Sequence, residues 1–183
     1  DINGDFSSLR DVFRLNSEDE YVILAAWLVF VLGGKGPYPL LAIDGLAGSS
    51  KSTFTKQIRA LVDPRKPAVR RMPKNIDDLF INAYHSHLIA IDNVSLINQD
   101  LSDTFCGMAT GTGVTKRMLY SDADEVCIEV RKPFIINSIN PVVHTPDLVD
   151  RSICLTLPPI GNPSKLGQSS CDRLSDQQVE VKF

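Results

Sequence analysis

Apolar residues occur along this chain in short, nearly continuous runs rather than in strict alternation with polar residues. The clearest runs lie at residues 39–43, 88–91, 133–136 and 153–157. Runs of this kind are typical of strands that are buried on both faces of a parallel sheet. Between the runs, apolar residues recur at the three- and four-residue spacing of helices. The pattern therefore predicts an α/β fold with a mostly parallel sheet.

The longest apolar stretch, residues 21–32, predicts a helix. Ser17 and Glu20 fit a capping box before it, and Gly33 and Gly34 end it. The stretch is shorter than the ~20 residues of a membrane span, so we expect a buried helix and no membrane partner. Further helices are predicted at residues 54–62, 75–86 and 100–110, with a short helical turn at 146–151.

Two strand-like segments, residues 115–120 and 126–130, flank the acidic turn 121–125 and predict a β-hairpin. The acidic tip would repel phosphate. If the hairpin contacts DNA, Lys116 and Arg117 on its flank are therefore the expected contacts.

The domain boundaries follow from changes in composition. Residues 17–160 are predicted to form one domain, preceded by an N-terminal extension at residues 1–16. Residues 161–183 are polar and are predicted to be a tail or linker. Since the chain starts with Asp1 rather than Met, we expect a piece of a longer protein or a processed product.

Composition narrows the function only slightly. The formal net charge of −3 gives no global attraction to nucleic acid, so any such contact needs a local basic surface. Four scattered cysteines argue against a zinc site and a disulfide framework, and the cytoplasm is the simplest location.

A glycine-bearing segment, residues 45–53, joins the first predicted strand to the helix 54–62. A strand, such a turn and a helix N-terminus form a phosphate cradle, because backbone N–H groups and the helix dipole point at one place. The segment matches the P-loop pattern except that Ser50 replaces the second glycine. Lys51 is expected to reach the β- and γ-phosphates, and Ser52 to ligate Mg²⁺. The predicted nucleotide-binding residues are Gly45, Ala47, Gly48, Ser49, Ser50, Lys51, Ser52 and Thr53.

The run 88–91 ends in Asp92, which lies about forty residues after the loop, where the second half of a nucleotide site is expected. A carboxylate at the end of a parallel strand can hold Mg²⁺ opposite Ser52. The next residue is Asn93, where many ATPases of this type have a Glu that polarises the attacking water. An amide can orient water but cannot accept its proton, so we expect slow hydrolysis or a base from elsewhere.

The order of these features resembles an AAA+ ATPase domain of helicase superfamily three. The features are the 45–53 loop, the strand ending in Asp92, the hairpin, the strand ending in Asn137, and Asp150 followed by Arg151. From about Tyr21 to Ile160, the chain is similar to ATP-binding, primase-helicase-like proteins of prophages and bacterial mobile elements. The resemblance implies a three-layer α/β/α P-loop NTPase (AAA+-like) fold with a central, mostly parallel sheet and an inserted β-hairpin.

The same resemblance implies an ATPase and DNA helicase that uses ATP and Mg²⁺ between the subunits of a homo-oligomeric ring such as a hexamer. Asn137 would be the sensor that orients water, and Arg151 would be an arginine finger in the neighbour's site. The hairpin would grip single-stranded DNA. The expected catalytic residues are Lys51, Asp92, Asn93, Asn137 and Arg151, and the expected metal ligands are Ser52 and Asp92.

Other functions stay open at this point. A P-loop kinase acting on a small molecule or nucleotide suits the length and the loop, although we find no Arg-bearing lid in the sequence. A nucleotide-gated binding module with little hydrolysis suits Asn93 and the acidic net charge. Asn137 could also be a strand cap, and Asp150 with Arg151 a local ion pair.

Overall fold

The computed structural model describes residues 8–117 and 125–159. Five parallel strands form one sheet in the order β2-β3-β6-β1-β7. The strands of this sheet are β1 Leu40–Asp44, β2 Arg70–Arg71, β3 Ile89–Asp92, β6 Phe134–Asn137 and β7 Ser152–Thr156. The predicted parallel α/β sheet is thereby confirmed, and each of the four predicted runs overlaps one strand to within a residue.

Helices cover both faces of this sheet. On one face, Leu41 and Ile43 of β1 pack with buried residues of α2 and α3. On the other face, Leu40 and Ala42 pack with residues of α4, α5 and α6. Alternate residues of one strand thus bury in two separate hydrophobic clusters, which explains why the strands are apolar throughout. The helices are α1 Ser8–Val12, α2 Glu18–Gly33, α3 Lys51–Val62, α4 Ile76–Tyr84, α5 Gln99–Thr110 and α6 Pro146–Val149.

Helix α2 begins and ends where the sequence predicts. The Ser17 hydroxyl accepts a hydrogen bond from the Glu20 N–H, and Gly34 ends the helix in a left-handed conformation. The Glu20 carboxylate accepts from the backbone N–H of Asn16 at 2.7 Å instead of completing the predicted box at Ser17. Among the described residues, no helix is both long enough and apolar enough to span a bilayer.

The prediction that α2 is a buried helix is wrong for one of its faces. Leu24, Trp27 and Val31 are buried against the sheet. Val22 and Val29 on the other side are 55% and 54% exposed. A helix that is apolar all round gives no sign of which side meets the core, so the sequence could not distinguish the two faces.

Strands β4 Thr112–Arg117 and β5 Glu125–Val130 pair antiparallel as a separate two-stranded sheet. They begin three residues and one residue earlier than predicted, respectively. The predicted connecting turn falls mostly on residues 118–124, which lie outside the described residues, as do the predicted extension before residue 8 and the tail after residue 160.

Candidate nucleotide-binding site

The carboxyl edge of the sheet brings three polar residues together. Strand β6 lies between β1 and β3, and all three run in the same direction. Asp44, Asn137 and Asp92 are the last residues of β1, β6 and β3. They therefore meet at one edge, which is where ligands bind in open α/β sheets.

The 45–53 loop leaves this edge and turns into α3 through left-handed backbone conformations. Gly48 has φ 84°, and Ser50 has φ 63° where the P-loop pattern has its second glycine. This left-handed conformation explains why the P-loop pattern has glycine at the place that Ser50 occupies here. Ser50 adopts the conformation at some cost in backbone strain. Gly45 is required sterically, because a Cβ there would lie 2.9 Å from both the Leu157 carbonyl oxygen and Ser49 Oγ.

The ammonium group of Lys51 folds back onto the loop. Its Nζ donates to the carbonyl oxygens of Gly45 at 2.6 Å and Leu46 at 2.9 Å, and lies 3.4 Å from Ser49 Oγ. Burial lowers the pKa of Lys51, while the charges of Asp92 and Asp44 raise it and partly offset the effect. The lysine is therefore held at the mouth of the loop, close to two carboxylates.

Ser52 and Asp92 are brought into direct contact across forty residues of sequence. Ser52 Oγ, in the first turn of α3, donates to the Asp92 carboxylate at 2.8 Å and 3.1 Å. A hydroxyl and a carboxylate are hard oxygen donors of the kind that Mg²⁺ prefers. The two residues predicted as metal ligands thus lie where one cation could bind both. Thr53 is exposed on the same turn.

A buried hydrogen-bond chain fixes the orientation of Asn137. Its Nδ2 donates to Asp92 Oδ1 at 2.9 Å, and its Oδ1 accepts from Thr55 Oγ1 at 2.7 Å. Asn137 and Thr55 are both fully buried. Thr55 is not among the residues predicted from the sequence, although its position on α3 one turn after Ser52 places it on the same helix face.

Asp44 is a second residue of this site that is not among the predicted site residues. Burial raises its pKa, while a hydrogen bond with Thr156 and the charge of Lys51 work in the opposite direction. It lies directly before the loop, so its carboxylate adds to the charge that holds Lys51.

Asn93 is exposed and adopts a left-handed conformation, with φ 59°. Asn tolerates this region better than most residues, because its short amide can hydrogen-bond locally. The next residue, Val94, donates its N–H to the Asn137 carbonyl oxygen at 2.8 Å. The chain therefore turns at Asn93 and returns to β6, which gives Asn93 a conformational role in addition to any chemical one.

Arg151 lies at the amino-terminal ends of the strands, opposite the end of the sheet where Asp44, Asn137 and Asp92 meet. It immediately precedes β7, whose first residue is in register with Leu40 and whose last is in register with Asp44. At ~3.3 Å per residue, about 13 Å separates the two end residues of this strand. The Arg151 guanidinium pairs with Asp147 of α6, rather than with Asp150. The structure therefore does not bring Arg151 to the loop of its own chain.

Lys116 and Arg117 are the last two residues of β4, in register with Val126 and Glu125 of β5. Their backbone position is described, and their side chains lie outside the described parts of the structure. Their expected role in DNA binding therefore stays a prediction.

The parallel sheet with helices on both faces defines an α/β domain, and solved structures share this fold. The C-terminal region of NrS-1, in an apo form, matches with a TM-score of 0.58 and 17% identity, over 77% of this chain and 34% of that one. The JCV helicase, solved with a thiazolopyridine compound, matches with a TM-score of 0.52 and 9% identity, over 77% of this chain and 42% of that one. This chain thus covers less than half of the length of either matched chain.

The chain belongs to the family of actinomycete integrative conjugative element replication proteins, whose sequence model matches residues 7–162. Membership confirms the expected connection with replication of a mobile element. No curated protein matches the chain.

Proposed function

We propose that this chain is the ATP-binding and ATP-hydrolysing motor domain of a DNA helicase that acts in replication of the conjugative element. The family supports the connection to replication, and the shared fold supports a helicase-like domain. The main observation in support of a nucleotide-binding site is the direct contact of Ser52 with Asp92 beside Lys51.

Each residue of the site has a role in this proposal. Mg²⁺ held by Ser52 and Asp92 would supply positive charge to neutralise the phosphates. Lys51 would exchange its bonds to the loop carbonyls for bonds to phosphate oxygens, which accept more strongly because they are charged. Asn137, held by Thr55, would keep an amide N–H directed at the metal-binding carboxylate and orient the attacking water.

Removal of the Lys51 ammonium tests the nucleotide site. Lys51→Ala should weaken binding of a fluorescent ATP analogue by at least about tenfold, because charge-assisted hydrogen bonds contribute ~1.5–3 kcal/mol. Lys56→Gln, which removes an exposed charge from the same helix, is the matched control and should bind normally. Equal affinities for the two variants would contradict the assignment of the loop.

A second candidate, a nucleotide-gated module with low turnover, is favoured by Asn93, because no carboxylate follows Asp92 directly. ATPase assays with and without single-stranded DNA separate the candidates. A motor is stimulated by DNA, a gated module turns over slowly in both conditions, and a kinase needs its acceptor rather than DNA.

DNA contact by the β4 and β5 sheet is tested separately. Replacing Lys116 and Arg117 together by Ala should lower affinity for single-stranded DNA and reduce the dependence of log Kd on log salt by about 0.7 for each lost phosphate contact. Fluorescence anisotropy over a sodium chloride series measures both quantities. An unchanged slope would locate the DNA surface elsewhere.

A further inference from the structure

A shallow, open groove of about 570 Å³ runs along the outer face of α2. Val22, Val29 and Phe30 are exposed there, although the Phe30 ring also meets the ring of Tyr38 edge-on at 5.8 Å. Contiguous exposed apolar surface of this kind marks an interaction site. The groove is lined by Arg10, Glu18, Tyr21, Val22, Ala25, Ala26, Val29 and Phe30.

The exposed stripe of α2 has a pattern that suits a two-fold axis. Val22, Ala25, Ala26 and Val29 follow one another at spacings of three, one and three residues, which places them on one helix face. The stripe reads the same in both directions. In a two-fold dimer, each surface meets a copy of itself. An antiparallel pair of α2 helices, centred between residues 25 and 26, therefore brings each valine opposite the other valine of the second copy.

The sizes of these side chains also suit close packing of two helices. Ala25 and Ala26 lie at the midpoint of the stripe, and small side chains let helix axes approach to the lower end of the usual range, about 8 Å. The larger valines lie one turn away on either side and fill the space beside the midpoint. Next to the axis, each alanine contacts its own copy.

The charges at the two ends of α2 are complementary in this arrangement. Glu18, Asp19 and Glu20 lie in the first turn, and the last turn contains no basic residue. Arg10, which pairs with Glu18, borders the N-terminal end of the groove. An antiparallel partner brings Arg10 to the C-terminal end of α2, where the helix dipole is negative, and brings Lys35 near the acidic first turn. An anionic membrane surface fits less well, because helices that bind it carry Lys and Arg, and α2 contains neither.

We propose that the outer face of α2 is a two-fold interface between two copies of this chain. Arg151 and Asp147 lie elsewhere, because Leu148 of α6 packs in the cluster on the face of the sheet opposite α2. The interface is therefore distinct from any contact made by Arg151. The inference does not depend on the proposed ATPase activity, and Lys51→Ala should associate as the wild type does.

Sedimentation equilibrium of the full chain over a concentration series measures this association. The average mass should rise from that of one chain towards that of two. Ala26→Glu places two like charges beside the axis and should raise the dimer Kd at least about tenfold. Ala26 is exposed and Glu is a good helix former, so the variant should keep the wild-type circular dichroism spectrum. Ala60→Glu, at an exposed position of α3 outside the groove, is the matched control and should dimerise normally.

A charge exchange distinguishes a two-fold contact from other uses of the groove. Ala26→Lys alone should also dimerise poorly, whereas an equimolar mixture of Ala26→Glu and Ala26→Lys should recover a dimer, because residue 26 meets its own copy. A wild type that stays monomeric at all concentrations would mean that something other than a second copy covers the groove, and would overturn the inference. Normal dimerisation of Ala26→Glu, or a mixture that recovers no dimer, would overturn it as well.

Discussion

A single hydroxyl determines which way the Asn137 amide faces. Thr55 Oγ1 donates to Asn137 Oδ1, which leaves the amide nitrogen to face Asp92. Valine has nearly the shape of threonine and cannot donate. Thr55→Val should therefore free the amide to rotate, and the folded state should lose about 1–3 kcal/mol because a buried acceptor is left unpaired.

The effect of Thr55→Val should appear in turnover more than in binding. We expect kcat for ATP to fall about 10–100-fold, as when supporting partners of metal ligands are removed, with little change in KM. Thr55→Ser keeps the hydroxyl and should restore the rate. Steady-state ATPase kinetics measure both constants, and equal kcat for the Val and Ser variants would exclude a positioning role for Thr55.

Residue spacing explains which parts of the site were predictable. Asp92 and Asn137 each end an apolar run, so parallel strands alone predict that they meet at one edge. Thr55 was not predictable in the same way, because its partner lies 82 residues away and the contact depends on how α3 crosses β6. Likewise, the left-handed backbone at Ser50 and Asn93 is set by the turns around them rather than by residue type.

At the scale of elements, Asp63 ties the end of α3 to the start of β3. Its Oδ2 accepts from the backbone N–H groups of His87 at 2.9 Å and Leu88 at 3.0 Å, and it pairs with Arg59. Burial alone would raise the pKa of Asp63, but the Leu88 N–H, the charge of Arg59 and the other partners together lower it. The carboxylate therefore stabilises the fold in its charged form.

Asp63→Ala should lower the free energy of unfolding at neutral pH by about 3–5 kcal/mol, because the buried Arg59 loses its partner. Asp63→Asn should cost less, since an oxygen remains to accept from the N–H groups. The pKa of Asp63 is lower in the folded state than in the unfolded chain. Its contribution to stability is therefore fully present above about pH 3.9, and it is lost as the pH falls through the folded-state pKa.

Urea unfolding of the wild type and Asp63→Asn over a pH series from neutral to acidic tests this linkage. The difference between the two proteins should shrink at the acidic end. Asp103→Asn, which removes an exposed carboxylate of α5, is the control and should show a much weaker dependence. A pH-independent difference for Asp63→Asn would show that the charge of Asp63 does not matter.

Element boundaries were predictable to the extent that they depend on local sequence. The caps of α2 and the apolar strands were found because Ser17, Gly34 and continuous apolar runs act within a few residues. The exposed face of α2 was not predictable, because it depends on what the rest of the fold places beside the helix.

For the molecule as a whole, the position of Arg151 requires an assembly if this residue acts in catalysis. It lies at the amino edge of the sheet, whereas Asp92 and the 45–53 loop lie at the carboxyl edge. An arginine side chain cannot span a five-residue strand, whose end residues lie about 13 Å apart. A role for Arg151 in phosphate chemistry therefore places it in the site of a neighbouring subunit. A head-to-tail contact of this kind gives a ring if the rotation between subunits closes, and an open filament if it does not.

Arg151→Ala should leave nucleotide binding nearly intact and lower ATP turnover by about 10³-fold or more, as expected for loss of an arginine finger. Mixing Arg151→Ala with Lys51→Ala should then restore activity. In a random one-to-one mixture, about a quarter of head-to-tail interfaces pair an intact loop with an intact Arg151. Mixing Arg151→Ala with the double variant provides the control, because it contains no Arg151 and should stay inactive. If the two single variants assemble together but recover no activity, Arg151 does not act across the interface, and its pairing with Asp147 is then a structural contact within one subunit.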